Sequence, residues 1–283
     1  MAPADGTTAD GTATDGTATD GAAVTPAGGA AAESLRDRTF RARSLRGSRF
    51  NDCDLAGVVI RGSDVTGLEI DSPWLFEGGN RLLVNGVDVL PFVDAELNRR
   101  FPGRELRAAE DVDGLRQAWS WVETAWGATV SRASTMTPGT VDAQIDGEWS
   151  LAQTLRHLVM ATDTWLGRAV FELAEPYHPA GLPHDDPDTA AYDSSVFSQT
   201  DPTWDEVLAA RASRQAMVRD YLATVTDDEL SASRKNPHAP EHAETVRSCL
   251  HTILDEEWEH LRYAVRDLDL LDARIGPSSD PPG

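Results

Sequence analysis

Apolar residues recur with different spacings along the chain, and each spacing predicts a different structure. Leu35, Phe40, Leu45, Phe50, Leu55, Ile60, Val65 and Ile70 stand five residues apart without a miss. Five is neither the period of a helix face nor that of a half-buried strand, so this stretch is a repeat of another kind. Beyond it, LLVNGVDVL places Asn85-Gly86 between two short apolar runs, which predicts a β-hairpin with a type I′ turn. Pro91 opens a short helix over about 91–100, and Pro102-Gly103 ends it.

From about residue 109 the spacing becomes helical. Leu115, Trp119, Val122, Trp126 and Val130 mark a first long helix over 110–135. Ser150 and Gln153 form a capping box that starts a second, whose apolar side carries Leu151, Leu155, Leu158, Thr162, Trp165, Leu166 and Ala169. A Pro-, His- and Asp-rich loop follows over 174–202. Thr203 and Glu206 form a second capping box and open a third helix that runs to about 225. A last helix is predicted over 243–272. Four long helices joined by polar connections predict a mainly α protein built on a four-helix bundle.

Residues 1–33 consist largely of Ala, Thr, Asp and Gly in a nearly periodic Asp-Gly pattern. Such a segment buries too little apolar surface to offset its ordering entropy, so disorder is expected there and in the tail at 275–283. The expected organisation is then 1–33 tail, 34–72 repeat segment, 73–108 connector, 109–274 bundle and 275–283 tail.

Composition narrows the function. Acidic residues outnumber basic ones 47 to 25, giving a formal charge of −22. That surface repels nucleic-acid phosphates and anionic membranes. The N-terminus has no basic-then-apolar leader. No apolar run reaches the ~18 residues of a membrane span. A cytoplasmic protein is the expectation, with neither nucleic acid nor membrane as partner. Cys53 and Cys249 make no disulfide framework or CxxC zinc site, and both are expected to be small buried residues.

The candidate chemistry lies on the last helix. At ~100° per residue, Glu256 and His260 lie ~40° apart, at the edge of the arc formed by Val246, Leu250, Ile253, Leu261, Ala264 and Leu268. His251 points to the other side with Asp255 and Arg262. Glu257 projects near the middle of the apolar arc, and Glu257-x-x-His260 also has the spacing of bundle metal sites. Either glutamate can therefore be the carboxylate. A His–Glu pair on one strip suits Zn²⁺, with Ni²⁺ or Fe²⁺ as alternatives. On the second helix His157 also lies at the margin of the apolar arc. Arg214, Arg262 and Arg266 are candidate carboxylate binders, against the plainer reading of solvated helix arginines. His178, His184 and Asp186 lie in the loop before the third helix, where they could close over the mouth of the bundle.

Two resemblances extend this reading. The period-five ladder resembles a pentapeptide repeat, whose central apolar residues point into a right-handed β-helix. Ser48, Cys53, Val58 and Ser63 fit the small position two residues before the centre, and Arg38 and Arg43 depart from it. The segment spans fewer than two coils, which implies a small platform leaning on the rest of the chain. Trp149-Ser150 with His157-Leu158, and Glu256-Glu257-Trp258-Glu259-His260 followed by Arg262-Tyr263-Ala264, resemble the DinB/YfiT superfamily, and more specifically its branch of mycothiol-dependent maleylpyruvate isomerase. That resemblance covers residues 109–272. It implies a divalent metal held by His157, Glu256 and His260. It further implies a low-molecular-weight thiol, mycothiol or bacillithiol, activated on the metal's open side for S-transfer or isomerisation of a small electrophile. A homodimer is compatible with it. Two other functions stay open: a non-catalytic interaction module that docks through the repeat, and a metal-dependent hydrolase.

Overall fold

The computed structural model describes residues 34–51, 53–184 and 193–275. The tails expected to be disordered and Asp186 lie outside them. The chain divides into two compact units, the first ending at Glu69 and the second beginning at Ile70.

In the first unit the five-residue period is written into the backbone. Positive φ angles fall at Asp37, Ala42, Gly47, Gly57, Gly62 and Gly67. Turn hydrogen bonds join the amides of Arg38, Ser48, Val58 and Leu68 to the carbonyls three residues earlier, at 3.0–3.3 Å. Ion pairs Arg36–Asp54 and Arg46–Asp64 link positions eighteen apart. No β-strand forms among the described residues of this unit, so the expected β-helix is not evident. The apolar ladder from Leu35 to Ile70 is 48–57% exposed. The physical reason is length: with fewer than two coils, a central side chain has no neighbouring coil to cover it. Cys53 is exposed as well, which corrects the expectation that it is buried.

The second unit opens with a hairpin, β1 (Leu83–Val84) and β2 (Val87–Asp88), paired antiparallel. Asn85 and Gly86 both take positive φ, as a type I′ turn requires. Helix α1 (Leu90–Arg100) begins with Pro91 in its first turn, where the missing N–H costs nothing. A 3₁₀ segment, Arg104–Ala108, follows and buries Arg104, which donates to Asp94 and Asn98, each at 2.7 Å.

The four predicted long helices are present. Helix α2 (Val112–Thr135) is capped by Asp111, whose side chain accepts from the Gly114 amide. Helix α3 (Leu151–Thr162) starts with the Ser150–Gln153 capping box. It then widens into a π-helical stretch, Asp163–Val170, which periodicity alone did not suggest. Helix α4 (Trp204–Thr224) starts with the Thr203–Glu206 box. After the short α5 (Asp227–Leu230), strands β3 (Ser233–Lys235) and β4 (Ala243–Thr245) pair antiparallel and lead into α6 (Val246–Ile275). Residues 243–245, expected to be helical, are thus strand, because β3 offers their backbone a partner.

The long helices share one core. Leu115, Trp119 and Trp126 of α2, Leu155 and Leu158 of α3, and Ile253, Trp258 and Leu261 of α6 are each at most 2% exposed. A Leu or Ile buried this fully contributes about 1.5–3 kcal/mol relative to leaving it in water. No helix among the described residues is long and apolar enough to cross a membrane.

Candidate metal centre

Helices α3 and α6 bring His157, Glu256 and His260 together, with one ligand atom from each lying within 4.8 Å of the others. Glu256 Oε2 is 3.3 Å from His157 Nε2 and 3.2 Å from His260 Nε2. The other ring nitrogen of His157 is 3.1 Å from the Leu182 carbonyl oxygen. A carbonyl only accepts, so Nδ1 carries a proton, and Nε2 is the nitrogen that faces the cluster. Metal-binding histidines are commonly oriented by this kind of contact. Burial alone would raise the Glu256 carboxyl, but hydrogen bonds from the two imidazoles hold it well below the usual carboxylate range. A half-buried carboxylate between two imidazole nitrogens is a fitting N₂O donor set for Zn²⁺ or a neighbouring first-row divalent ion.

Packing sends the two glutamates, left open in the sequence, in different directions. Glu257 points away from the cluster into the core, where Arg211 of α4 donates to its Oε2. Both side chains are almost wholly buried, at 4% and 1% exposed. Glu257 is thus committed to an ion pair, while Glu256, its neighbour one residue earlier, faces His157.

The remaining histidines divide. His251 Nε2 is 2.8 Å from the Ala109 carbonyl, so this half-buried residue ties α6 to the start of α2. His238 packs edge-on to Trp165 at 5.6 Å. His242 is exposed beside Glu241. His178 organises a loop: its amide donates to the buried Asp163 at 2.8 Å, and its Nδ1 accepts from the Ala180 amide. His184 does approach the cluster, with its ring centroid 4.4 Å from that of His157.

The three candidate arginines are each engaged by carboxylates of the chain itself. Arg214 forks onto Asp163 at 2.7 and 3.1 Å. Burial pushes the Asp163 carboxyl above its ordinary range, against the pull of that guanidinium. Arg262 pairs with Asp71 and Glu259, and Arg266 with Asp71, Asp267 and Glu148.

One residue of the site escaped the reading of side-chain chemistry. The Trp149 indole lies 4.8 Å from His157, 4.9 Å from His184 and 6.1 Å from His260, nearly parallel to the last at 20°. It precedes the helix cap Ser150, so no periodicity could have assigned its face. Its signal was its place beside the cap, about two turns before the α3 histidine.

No curated protein and no solved structure matches the chain. A family model does: the model of the DinB superfamily matches residues 122–264, the stretch that runs from α2 to α6 and contains all three members of the cluster. With that match spanning half of the sequence, and with helices α3 and α6 bringing a His–Glu–His cluster together, the chain belongs to the DinB superfamily.

Proposed function

We propose that the protein binds a divalent metal, with Zn²⁺ favoured over Ni²⁺ or Fe²⁺, through His157, Glu256 and His260, and acts as a low-molecular-weight-thiol-dependent S-transferase or isomerase. The observation that carries the metal reading is the convergence of Glu256 Oε2 on two imidazole nitrogens, one of them on a ring oriented by the Leu182 carbonyl. Three protein donors leave a position open, as catalytic rather than structural zinc sites do. A cation there would lower the pKa of a thiol such as mycothiol or bacillithiol, making it a nucleophile toward a small electrophile. The chain's own contribution is orientation and exclusion of water. His157 is fixed by Leu182, and Trp149 covers one side of the cluster with an apolar ring. The reading fits a cytoplasmic protein, where reduced thiols are abundant.

Metal analysis and a conjugation assay test it. Purified protein should carry about one equivalent of metal, and His157→Ala and Glu256→Ala should lose it. With metal present, a model electrophile should be consumed in the presence of one of the thiols. Metal without conjugation by any thiol would replace this reading with a metal-dependent hydrolase.

A second reading rests on the first unit. Residues 35–70 are taken as a pentapeptide-repeat platform, supported by the five-residue interval of left-handed backbone positions and by the exposed apolar ladder. Such a ladder favours a non-catalytic docking role for that unit. Deleting residues 34–72 and finding the same co-purifying partners would remove it.

A further inference from the structure

We propose that His184 is a fourth ligand of the metal centre, supplied by the loop after the π-helical stretch; the inference rests on the metal reading above. Three observations support it. First, the His184 ring lies against the cluster, 4.4 Å from the His157 ring at 65° and 4.9 Å from Trp149 at 30°. Trp149 also faces His260, so one indole borders three histidines.

Second, the loop that delivers His184 is fixed at several points. The His178 amide is bonded to the buried Asp163 carboxylate, which Arg214 neutralises. The Gly181 amide closes a turn onto the His178 carbonyl at 2.9 Å. Arg156 Nε donates to the Ala180 carbonyl at 2.9 Å, and the Leu182 amide donates to the Arg156 carbonyl of α3 at 3.2 Å. Gly181 also packs so closely that a Cβ there would lie 2.9 Å from the Phe197 ring. Ordering a loop costs conformational entropy, and here packing and buried ion pairs have already met much of that cost.

Third, the loop and the ligand are directly coupled. The Leu182 carbonyl that accepts from His157 Nδ1 is two residues before His184. The segment that orients one ligand therefore presents the next histidine to the same place. His184 is not within the compact trio of His157, Glu256 and His260, so the assignment requires its side chain to rotate toward them. The resulting N₃O set suits tetrahedral zinc, and an incoming thiol would either displace His184 or raise the coordination to five.

The test uses the full chain, stripped with a chelator and reloaded with Co²⁺ or Zn²⁺. Wild-type protein with Co²⁺ should show the intense visible bands of a four-coordinate nitrogen- and oxygen-bound ion. His184→Ala should weaken and shift those bands and raise the Zn²⁺ Kd at least about tenfold. Added imidazole should restore the bands. A thermal melt of the stripped variant checks that it folds like wild type. An unchanged Co²⁺ spectrum and Zn²⁺ Kd in His184→Ala, alongside loss of binding in His157→Ala, would overturn the inference and leave the trio intact. If wild type binds neither ion, both this inference and the metal reading fall.

Discussion

Arg211→Met isolates the buried pair that commits Glu257 to the core. Both side chains are nearly inaccessible, so the carboxylate left behind cannot regain water. Arg211 Nε and Nη1 and Glu257 Oε1 have no hydrogen-bond partner among the described residues, and only the neutral Trp126 indole stands close enough to offer the carboxylate another donor. The guanidinium also sits 5.9 Å over the Trp126 ring. Breaking one side of such a pair typically costs about 3–5 kcal/mol. Glu257 can limit the loss by taking up a proton. Burial already raises its carboxyl, and Arg211 pulls it back down. Without Arg211 the folded pKa rises further above the unfolded value of about 4.3. Between the two pKa values the folded state binds more protons than the unfolded state, so stability falls as pH rises through that window. Arg211→Met should therefore be worse at pH 8 than at pH 5. Removing both charges in R211M/E257M should return the protein to wild-type stability or exceed it by about 1–4 kcal/mol. Urea unfolding followed by tryptophan fluorescence, in chelator, measures all three proteins. A loss under about 1 kcal/mol for R211M at pH 8, comparable to an ordinary hydrogen bond, would refute the reasoning. So would a double variant as unstable as the single one.

In urea unfolding without chelator, zinc at about one hundred times its Kd should stabilise the wild type by about 2.7 kcal/mol and should leave Glu256→Ala unmoved; an equal shift in the variant would remove Glu256 from the donor set. Burial pushes the Cys249 thiol up to about 12, so an aromatic disulfide reagent at pH 8 should label Cys53 rapidly and Cys249 only after unfolding; rapid labelling of both in the native protein would contradict the packing of α6. Gly103 has φ +92°, and a Cβ there would lie 2.3 Å from Trp121 Cγ. Gly103→Ala should cost at least about 1–3 kcal/mol, read as a lower urea midpoint, and an unchanged midpoint would show that the turn can rearrange.

Much of the fold was legible in the sequence because helix signals are local. Capping boxes at Ser150–Gln153 and Thr203–Glu206 depend on residues three apart, and both appear in the structure. The Asn85-Gly86 turn is local in the same way, since left-handed backbone is cheap for those two residues. The spacing of Glu256 and His260 on one strip of α6 needed only the helical period. What fails locally also has a reason. The π-helical stretch that continues α3 begins at the buried Asp163, whose partner Arg214 lies fifty-one positions away, beyond any local signal. The start of α6 yields to β4 because β3 supplies a strand partner.

The sequence by itself determined the four long helices, the Asn85-Gly86 hairpin and which side chains share a helix face, because these follow from contacts within a few residues. It left Glu256 and Glu257 open, since they lie only one residue apart on a half-buried helix. Tertiary structure separates them: Arg211, from a different helix, pairs with Glu257 in the core, and His157 meets Glu256 at the cluster. The places of Trp149 and His184 were likewise settled only in three dimensions. Neither lies on a regular element, and their positions follow from how a cap and an anchored loop pack against α3.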